Sequence, residues 1–494
     1  MNQLLSLDRP MKTINLKRTN ITLYPDRKRV LLRPFHFMSG QRASEICAHI
    51  MALSEGEADS LLGQLWSEFG GRHKNIREDF RRRFEEVRPY LLSDQALSEE
   101  RSLLIGAYFT HEYSIEAAAL FNPSMVVHPD QSNLAEGALR FVLSLRATGE
   151  GHISSITFRP GVVDINGNVV IDTPARYSLG PAHLRDASIE KPLFERKLRE
   201  LNLIGAFSRE VLKLHGETFT LEELRTSVSV VAKELRVHDL ETEKVAKKTL
   251  TLAESCFEVQ FAADSCLSER VLFPVTLAQS HGLEDARFVL FQDDDGTRTY
   301  YATYTAYDGK EIQPEFLETR DFRHFKFTTL HGPAVRNKGM ALFPRKINGL
   351  YAMLGRQDYE NIYVMFSDHL HFWHTKQLVL GPKFPWEFLQ MGNCGSPIET
   401  QRGWLVLSHG VGPMRKYCIG AFLLDLEDPT KVIGRLGEPL IKPNQDEREG
   451  YVPNVVYSCG SLLHGQQLII PYGISDYATT FATVPLDEVL AALQ

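Results

Sequence analysis

Four times in its second half the chain repeats one phrase: an apolar strand, a short polar turn, a second apolar strand, and an exit carrying polar residues. The phrase occupies residues 289–308 (VLFQDDDGTRTYYATYTAYD), 343–357 (FPRKINGLYAMLGRQ), 398–411 (IETQRGWLVLSHGV) and 461–474 (SLLHGQQLIIPYGI). A recurrence at roughly fifty to sixty residues suits a β-propeller blade with a long connection. Residues 137–175 supply a fifth unit, with turns at Thr148-Gly149 and Asn166-Gly167-Asn168. The expected fold is therefore mainly β, a five-bladed β-propeller.

The remaining segments have other periods. Residues 1–35 read as an extended arm, with polar and apolar positions alternating around Tyr24-Pro25-Asp26. From about Gln41, apolar residues fall at helical spacing with charges between them, and Ser98-Glu99-Glu100 marks a helix start. This predicts a helical domain over 36–125, in which Arg81, Arg82 and Arg83 form a solvated face. Residues 126–494 form the propeller domain, interrupted by a second helical segment at about 189–249.

Composition narrows the function. A chain of 494 residues exceeds what one core organises. A net charge of −7 argues against nucleic acid or an anionic membrane as the main partner. No apolar run approaches the ~20 residues that span a bilayer. The N-terminal stretch lacks the apolar core of a signal peptide. The six cysteines are scattered without a CxxC pair, which suits reduced thiols and a cytoplasmic protein. His369, His371 and His374 lack a paired carboxylate motif, so neither a metal nor a cofactor is expected.

Strand exits of a propeller converge on one axial pocket, and several exits here carry more polar groups than a turn needs. Residues 146–155 bring Arg146, Glu150 and His152 close together, although a loop stabilised by its own hydrogen bonds explains them equally well. Residues 331–339 hold Arg336, Asn337 and Lys338 before an apolar strand, and the next strand ends at Arg356. Cations at successive exits of an acidic protein form a credible oxyanion clamp. His409, Arg415 and Lys416 can add donors. The Gly392-Asn393-Cys394-Gly395 run lacks the Lys-Ser/Thr and helix of a phosphate loop. Asn454 and Asp476 offer paired donors and acceptors for vicinal hydroxyls.

Residues 282–309 stand at the centre of this pattern. An acidic turn, Glu284-Asp285, precedes an apolar run; Asp293 to Gly296 form a hairpin tip; and the returning strand ends on Tyr307-Asp308. Asp308-Gly309 also reads as an ordinary hairpin turn. The combination GLEDAR followed by TYTAYD resembles the signature of glycoside hydrolase family 130, the inverting β-mannoside phosphorylases and mannosidases. The likeness extends from about Gly137 onward, and Ser367, Asp368 and Trp373 look like the blade motif of sugar-cleaving propellers. The propeller fold is also the one this resemblance implies.

The resemblance implies that Asp308 is the general acid, acting through a hydroxyl of the mannosyl unit. It implies sugar contacts from Tyr307, Asn454 and Asp476, and the polar exits add Asp285, Arg146 and His152 as sugar-side candidates. It places Arg336, Asn337, Arg356 and His409 on the phosphate side, where the residue pattern adds Lys338, Arg415 and Lys416. Gln390 and Glu399 stand where many family phosphorylases have lysine, which keeps open a mannosidase in which Glu399 activates water. The long form with helical additions is most similar to the β-1,2-oligomannan phosphorylase branch. The expected activity is inverting phosphorolysis of β-linked, β-1,2 by this likeness, manno-oligosaccharides, with inorganic phosphate as co-substrate and α-mannose 1-phosphate as product. A non-catalytic glycan-binding propeller is the reading from another class. The helices must cover something, so a homodimer with helical segments at its interface is expected.

Overall fold

The computed structural model describes residues 14–35, 39–235 and 240–493. Two strands, Lys17–Leu23 and Val30–Pro34, precede four helices: Gly40–Met51 (α1), Glu55–Phe69 (α2), Ile76–Val87 (α3) and Glu99–Tyr108 (α4). Their starts follow local chemistry. Ser54 and Glu57 form a reciprocal capping box, and the Ser98 side chain accepts from the Arg101 amide. The helices bury one stripe each, joining Cys47, Ile50, Ala58, Phe84, Leu104 and Ile105 in one core. Arg81 and Arg82 lie on the solvated face and pair with Glu78 and Asp79, but Arg83 is turned inward and pairs with Glu86.

The helical part ends earlier than 125. Residues Thr110–Ser114 and Ala119–Val127 are strands, the first paired with Val30–Pro34 and the second with Leu139–Thr148. Glu116 to Ala118, which read as helix formers, lie in the turn between these strands, and the strands on either side are fixed by sheet partners, so tertiary pairing overrides local propensity. The second helical segment comprises Lys191–Glu200 (α5), Ala206–Lys213 (α6), Leu221–Glu234 (α7) and Leu240–Glu254 (α8). It carries its own core of Phe194, Leu198, Phe207, Val211, Leu224 and Leu252. A short strand pair, Ile189–Glu190 with Thr218–Phe219, lies within it, and α8 extends past 249.

The rest of the chain is mainly β. Residues expected as a separate fifth unit, Leu139–Thr148, Ser154–Val163 and Val169–Ile171, share one eleven-stranded sheet with Gly282–Gln292, Arg298–Tyr307, Ile312–Thr319 and His324–Thr329. The two halves meet through one parallel register, Gly282 with Ser154. A four-stranded sheet follows, centred on Tyr351–Gly355 and Ile362–Ser367. Then come five strands centred on Gly403–Gly412 and Lys416–Leu424. A further five-stranded sheet pairs Gln467–Ile474 with Ala478–Pro485, and its edge is Lys17–Leu23 from the start of the described chain. Trp373 is fully buried and donates its indole N–H to Leu370 O at 2.9 Å.

Apolar clusters join these strand groups in cyclic order. Phe158 packs with Leu283 and Phe288, and Phe291 with Met340 and Met353. Leu354 and Val364 pack with Trp404 and Phe422, and Leu405 and Ile419 with Ile470 and Val484. Ile469 and Phe481 then return to Phe141 and Leu143. The six cysteines carry free thiols. No helix among the described residues is long and apolar enough to cross a membrane.

The N-terminal arm is tied to this body by charge. Glu116 is fully buried and accepts from the Arg159 guanidinium at 2.7 Å and the Asp26 amide at 3.0 Å, with Arg29 at 2.9 Å. Burial lowers the Arg29 pKa to about 10, Arg159 adds repulsion, and Glu116 opposes both. Removing the carboxylate leaves two buried guanidiniums uncompensated. Glu116→Leu is expected to destabilise the fold by about 3–5 kcal/mol, read as a lower denaturant midpoint. An unchanged midpoint would show that the ion triad does not anchor the arm.

Candidate active site

Two strands bend where the site is built. The Gly282–Gln292 strand slips register between Glu284 and Arg287, and the Ala119–Val127 strand does so between Phe121 and Ser124. Each bulge holds a polar residue in the left-handed region, Asp285 at φ 54° and Asn122 at φ 49°. Such conformations are costly outside glycine and persist when surrounding structure fixes them. The two bulges are clasped together: Asn122 Nδ2 donates to Asp285 Oδ1 at 2.7 Å, and the Phe288 amide donates to Ser124 Oγ at 3.0 Å. The acidic pair expected in a turn therefore lies inside a strand, because the bulge turns both carboxylates inward.

Around Asp285 the charges are dense. Arg146 donates to Glu284 Oε1 at 2.6 Å, to Asp285 Oδ1 at 3.3 Å and to Ser154 Oγ at 2.9 Å. Lys338 Nζ stands 3.9 Å from Glu284 Oε2. Burial alone would raise the Asp285 pKa, but Arg146, Lys338, Arg287 and the Asn122 amide outweigh it and hold the carboxyl well below its usual range. Asp476, at φ 50°, has the opposite balance. Burial and the Asp285 charge push it up to about 6, against the pull of Arg146, Arg415 and Lys338. One carboxyl here is fixed as an anion while its neighbour is poised to hold a proton.

A second half adjoins this cluster. Arg356 and His409 are buried, with Arg356 Nη1 3.1 Å from His409 Nε2. A Cβ at Gly392 would lie 2.5 Å from Arg356 Cδ and 2.6 Å from His409 Cε1, so the pair requires glycine there. Burial, reinforced by Arg356 and Arg287, pushes the His409 pKa well below the ordinary histidine value, which leaves a neutral ring. Arg287 donates to the Tyr457 hydroxyl at 2.7 Å and to Cys394 O at 3.4 Å. Asn337, at φ 65°, donates to Arg356 O at 3.0 Å. Among the described residues, Arg356 Nε, Asn337 Oδ1, His409 Nδ1 and both polar atoms of the Asn393 side chain are buried without a hydrogen-bond partner. Buried polar atoms are rarely left so, and this mixture of donors (Arg356 Nε, Asn393 Nδ2) and acceptors (Asn337 Oδ1, Asn393 Oδ1) suits a ligand that offers both, such as sugar hydroxyls or a hydrogenphosphate.

Asp308 stands apart from that cluster. It closes the Arg298–Tyr307 strand as an exposed carboxylate accepting from the Lys310 and Glu311 amides at 2.8 and 2.7 Å. Those two amides lower its pKa. Its carbonyl accepts from Ser280 Oγ at 3.5 Å, and the Tyr307 ring packs edge-on against His281 at 5.9 Å. The structure thus gathers Arg146, Asp285, Lys338, Arg356, His409, Arg415 and Asp476 electrostatically. It puts Arg336 in solvent, and the Asn454 carbonyl accepts from the Tyr417 amide at 3.0 Å. Lys416 is half-buried at a strand start, and His152 packs on Tyr451.

Glu399 is an ion-pair partner of Arg345 at 2.7 Å on a strand edge. Its bidentate pairing with that guanidinium occupies the carboxylate proposed to activate water. Asn122, Arg287 and Tyr457 are site residues that the sequence does not single out, and Glu284 is one that it shows only as part of a turn. Glu284 and Arg287 stand within the GLEDAR motif, so their signal was available. Asn122 had only the Asn-Pro step inside an apolar run as a sign of a break. No group of three or more His, Cys, Asp or Glu side chains suited to a metal ion occurs among the described residues.

Comparison with known proteins adds a family signal. The glycoside hydrolase family 130 model, described as β-1,4-mannooligosaccharide phosphorylase, matches residues 224–494. A 1,2-β-oligomannan phosphorylase of Thermoanaerobacter sp. is 38% identical over 232 residues, covering 45% of this chain and 75% of that one. A β-1,2-mannobiose phosphorylase of Listeria innocua is 27% identical over 369 residues, covering 73% and 97%. A solved structure of the β-1,2-mannobiose phosphorylase from Listeria innocua in complex with β-1,2-mannobiose aligns with a TM-score of 0.46 and 21% identity, over 76% of this chain and 92% of that one.

The raised Asp476 pKa has a measurable consequence. The folded state holds this proton more tightly than the unfolded chain, so its contribution to stability is full below about 3.8 and is lost as pH rises through about 6. Asp476→Asn should remove that pH dependence and raise the melting temperature at pH 7 relative to the parent protein. A lower melting temperature at pH 7 with the acid-side slope intact would contradict the assignment.

Proposed function

Because the chain belongs to glycoside hydrolase family 130, we propose that it is an inverting phosphorylase of β-1,2-linked manno-oligosaccharides. One observation carries the phosphate half: buried Arg356, whose Nε has no hydrogen-bond partner, stands 3.1 Å from His409, and the Lys338 charge is felt at the same ring. Donors of this kind match phosphate oxygens. Phosphate then attacks the mannosyl anomeric carbon from the face opposite the leaving oxygen, so no carboxylate base is needed. The anomeric C–O bond breaks as the new C–O–P linkage forms, giving α-mannose 1-phosphate and a shortened saccharide.

Asp308 supplies the proton to the leaving oxygen through a mannosyl hydroxyl. Its two backbone donors favour the carboxylate in the free protein, so the acid form arises in the complex. The proton given up by hydrogenphosphate ends on the leaving oxygen, and Asp308 relays it. Tyr307, Asp285, Arg146, His152, Asn454 and Asp476 are the sugar-side residues of this reading. Arg336, Asn337, Arg415 and Lys416 complete the phosphate side. The cyclic packing of strand groups supports a five-bladed propeller as the scaffold, with the helical segments as additions at its N-terminus and within it. Free cysteines suit a reducing, cytoplasmic setting. The helical segments form the contact of a homodimer, and a strict monomer by light scattering at micromolar concentration would refute that part.

The decisive experiment incubates the protein with β-1,2-mannobiose with and without phosphate. Phosphate-dependent α-mannose 1-phosphate is the expected product; mannose released at the same rate without phosphate would favour the mannosidase. Binding of mannosides without any turnover would favour the non-catalytic reading. Asp308→Asn should keep the fold and lose roughly 100- to 10,000-fold in turnover. Arg356→Met should raise the KM for phosphate by roughly 10- to 100-fold, more than that for the sugar.

A further inference from the structure

Beside Asp476 the surface carries two pairs of exposed rings. Tyr451 packs on His152 with centroids 5.4 Å apart, and Tyr24 on Tyr477 at 6.1 Å. Tyr451 is 65% exposed, Tyr24 62% and Tyr477 39%. Large rings left this open are usually scattered singly, whereas these are held in register with one another. A Cβ at Gly450 would lie 3.2 Å from Tyr477 Cβ, and the Val452 amide donates to Ser475 O at 3.0 Å. The backbone of Tyr451 therefore runs alongside that of Asp476 and Tyr477, and both ring pairs border the charged site.

The turn that carries His152 is tethered by hydrogen bonds. The Tyr113 hydroxyl donates to Glu150 O at 2.7 Å, and the Ser114 amide donates to Glu150 Oε1 at 3.0 Å. Tyr113 and Ser114 belong to the Thr110–Ser114 strand, whose partner is Val30–Pro34. The Tyr477 carbonyl accepts from the Leu120 amide at 2.9 Å. Both ring pairs are thus fixed from the part of the chain that precedes residue 224, where the family match begins.

We propose that these four rings form a saccharide shelf that binds mannosyl units of a longer oligosaccharide beyond those held around Asp285 and Asp476. A pyranose presents an apolar C–H face edged by hydroxyls. A fixed, half-exposed tyrosine meets it with a ring face and a phenolic oxygen at little cost in side-chain order. Glu150 and Glu449 beside the rings are exposed, a polar setting that suits a wet sugar site. The shelf rests on the phosphorylase reading for its ligand. Its effect is selectivity for chain length: substrates long enough to reach the rings gain affinity that mannobiose does not.

The test titrates the intact protein calorimetrically, without phosphate, with β-1,2-mannobiose and with β-1,2-mannotetraose. The parent protein should bind the tetraose more tightly. Tyr451→Ala and Tyr24→Ala should each weaken the tetraose by roughly 3- to 10-fold, with a smaller change for mannobiose, so that the ratio of the two affinities falls. A ratio that is unaltered in both variants, or a parent protein that does not prefer the tetraose, overturns the shelf. A change of oligomeric state in Tyr24→Ala with sugar affinity intact assigns the rings to a subunit contact and overturns it too. Phosphate-dependent turnover of mannobiose, measured on the same preparation, separates the two readings: present with an unaltered ratio, only the shelf fails; absent with a falling ratio, only the phosphorylase reading fails.

Discussion

The Asp285 carboxylate, held between Asn122 and Arg146 in two facing bulges, is the constraint on which the rest of the site depends. Three cations, Arg146, Arg287 and Lys338, stand close enough to depress its pKa despite full burial. Taking those cations out of water is costly, and only paired charge with good hydrogen bonding offsets it. Asp285 and Glu284 supply the pairing for Arg146, and Tyr457 and Cys394 share Arg287. The left-handed backbone at Asp285 and Asn122 is how two extended strands bring these groups to one point. Straightening either bulge would turn its carboxylate or amide to the other face of the sheet.

A site so balanced in charge divides its carboxyls by environment. Asp285 stays ionised, whereas burial and the Asp285 charge raise the Asp476 pKa to about 6. Asp308 lies outside the dense field, on two backbone amides at a strand end. A carboxylate placed there can change protonation without disturbing the buried cations, whereas Asp285 cannot.

How far this was legible in the sequence depended on the kind of information each residue carries. Arg146, Arg356, His409 and Asp476 could be singled out because each lies at a strand exit, and Lys338 because it directly precedes an apolar strand; strand ends share a side of the sheet. Asn122 could not, because its bulge is defined by register against Leu139–Thr148, a property of two strands together. Glu284 and Asp285 were visible as an acidic pair, yet read as a turn, since a buried bulge and a surface turn use the same residue types. The stretch after Tyr108 looked helical from its alanines and glutamates. It is a strand because Val30–Pro34 and Leu139–Thr148 offer partners that local propensity does not record. Glu399 seemed a base by its neighbourhood in the chain, and its pairing with Arg345 depends on a contact no local pattern encodes.

The strand Lys17–Leu23 forms the edge beside Ala478–Pro485, and Thr480 Oγ1 donates to Ile21 O across a sequence separation of 459. On a ribosome adding about 5–20 residues per second, that partner emerges roughly half a minute to a minute and a half after the strand itself. For that interval the strand is a bare edge able to pair with any passing chain. Its first half, Lys17-Arg18-Thr19-Asn20, is charged and polar, the composition that discourages such encounters. The same residues that later complete a sheet thus serve beforehand to keep nascent molecules from joining one another.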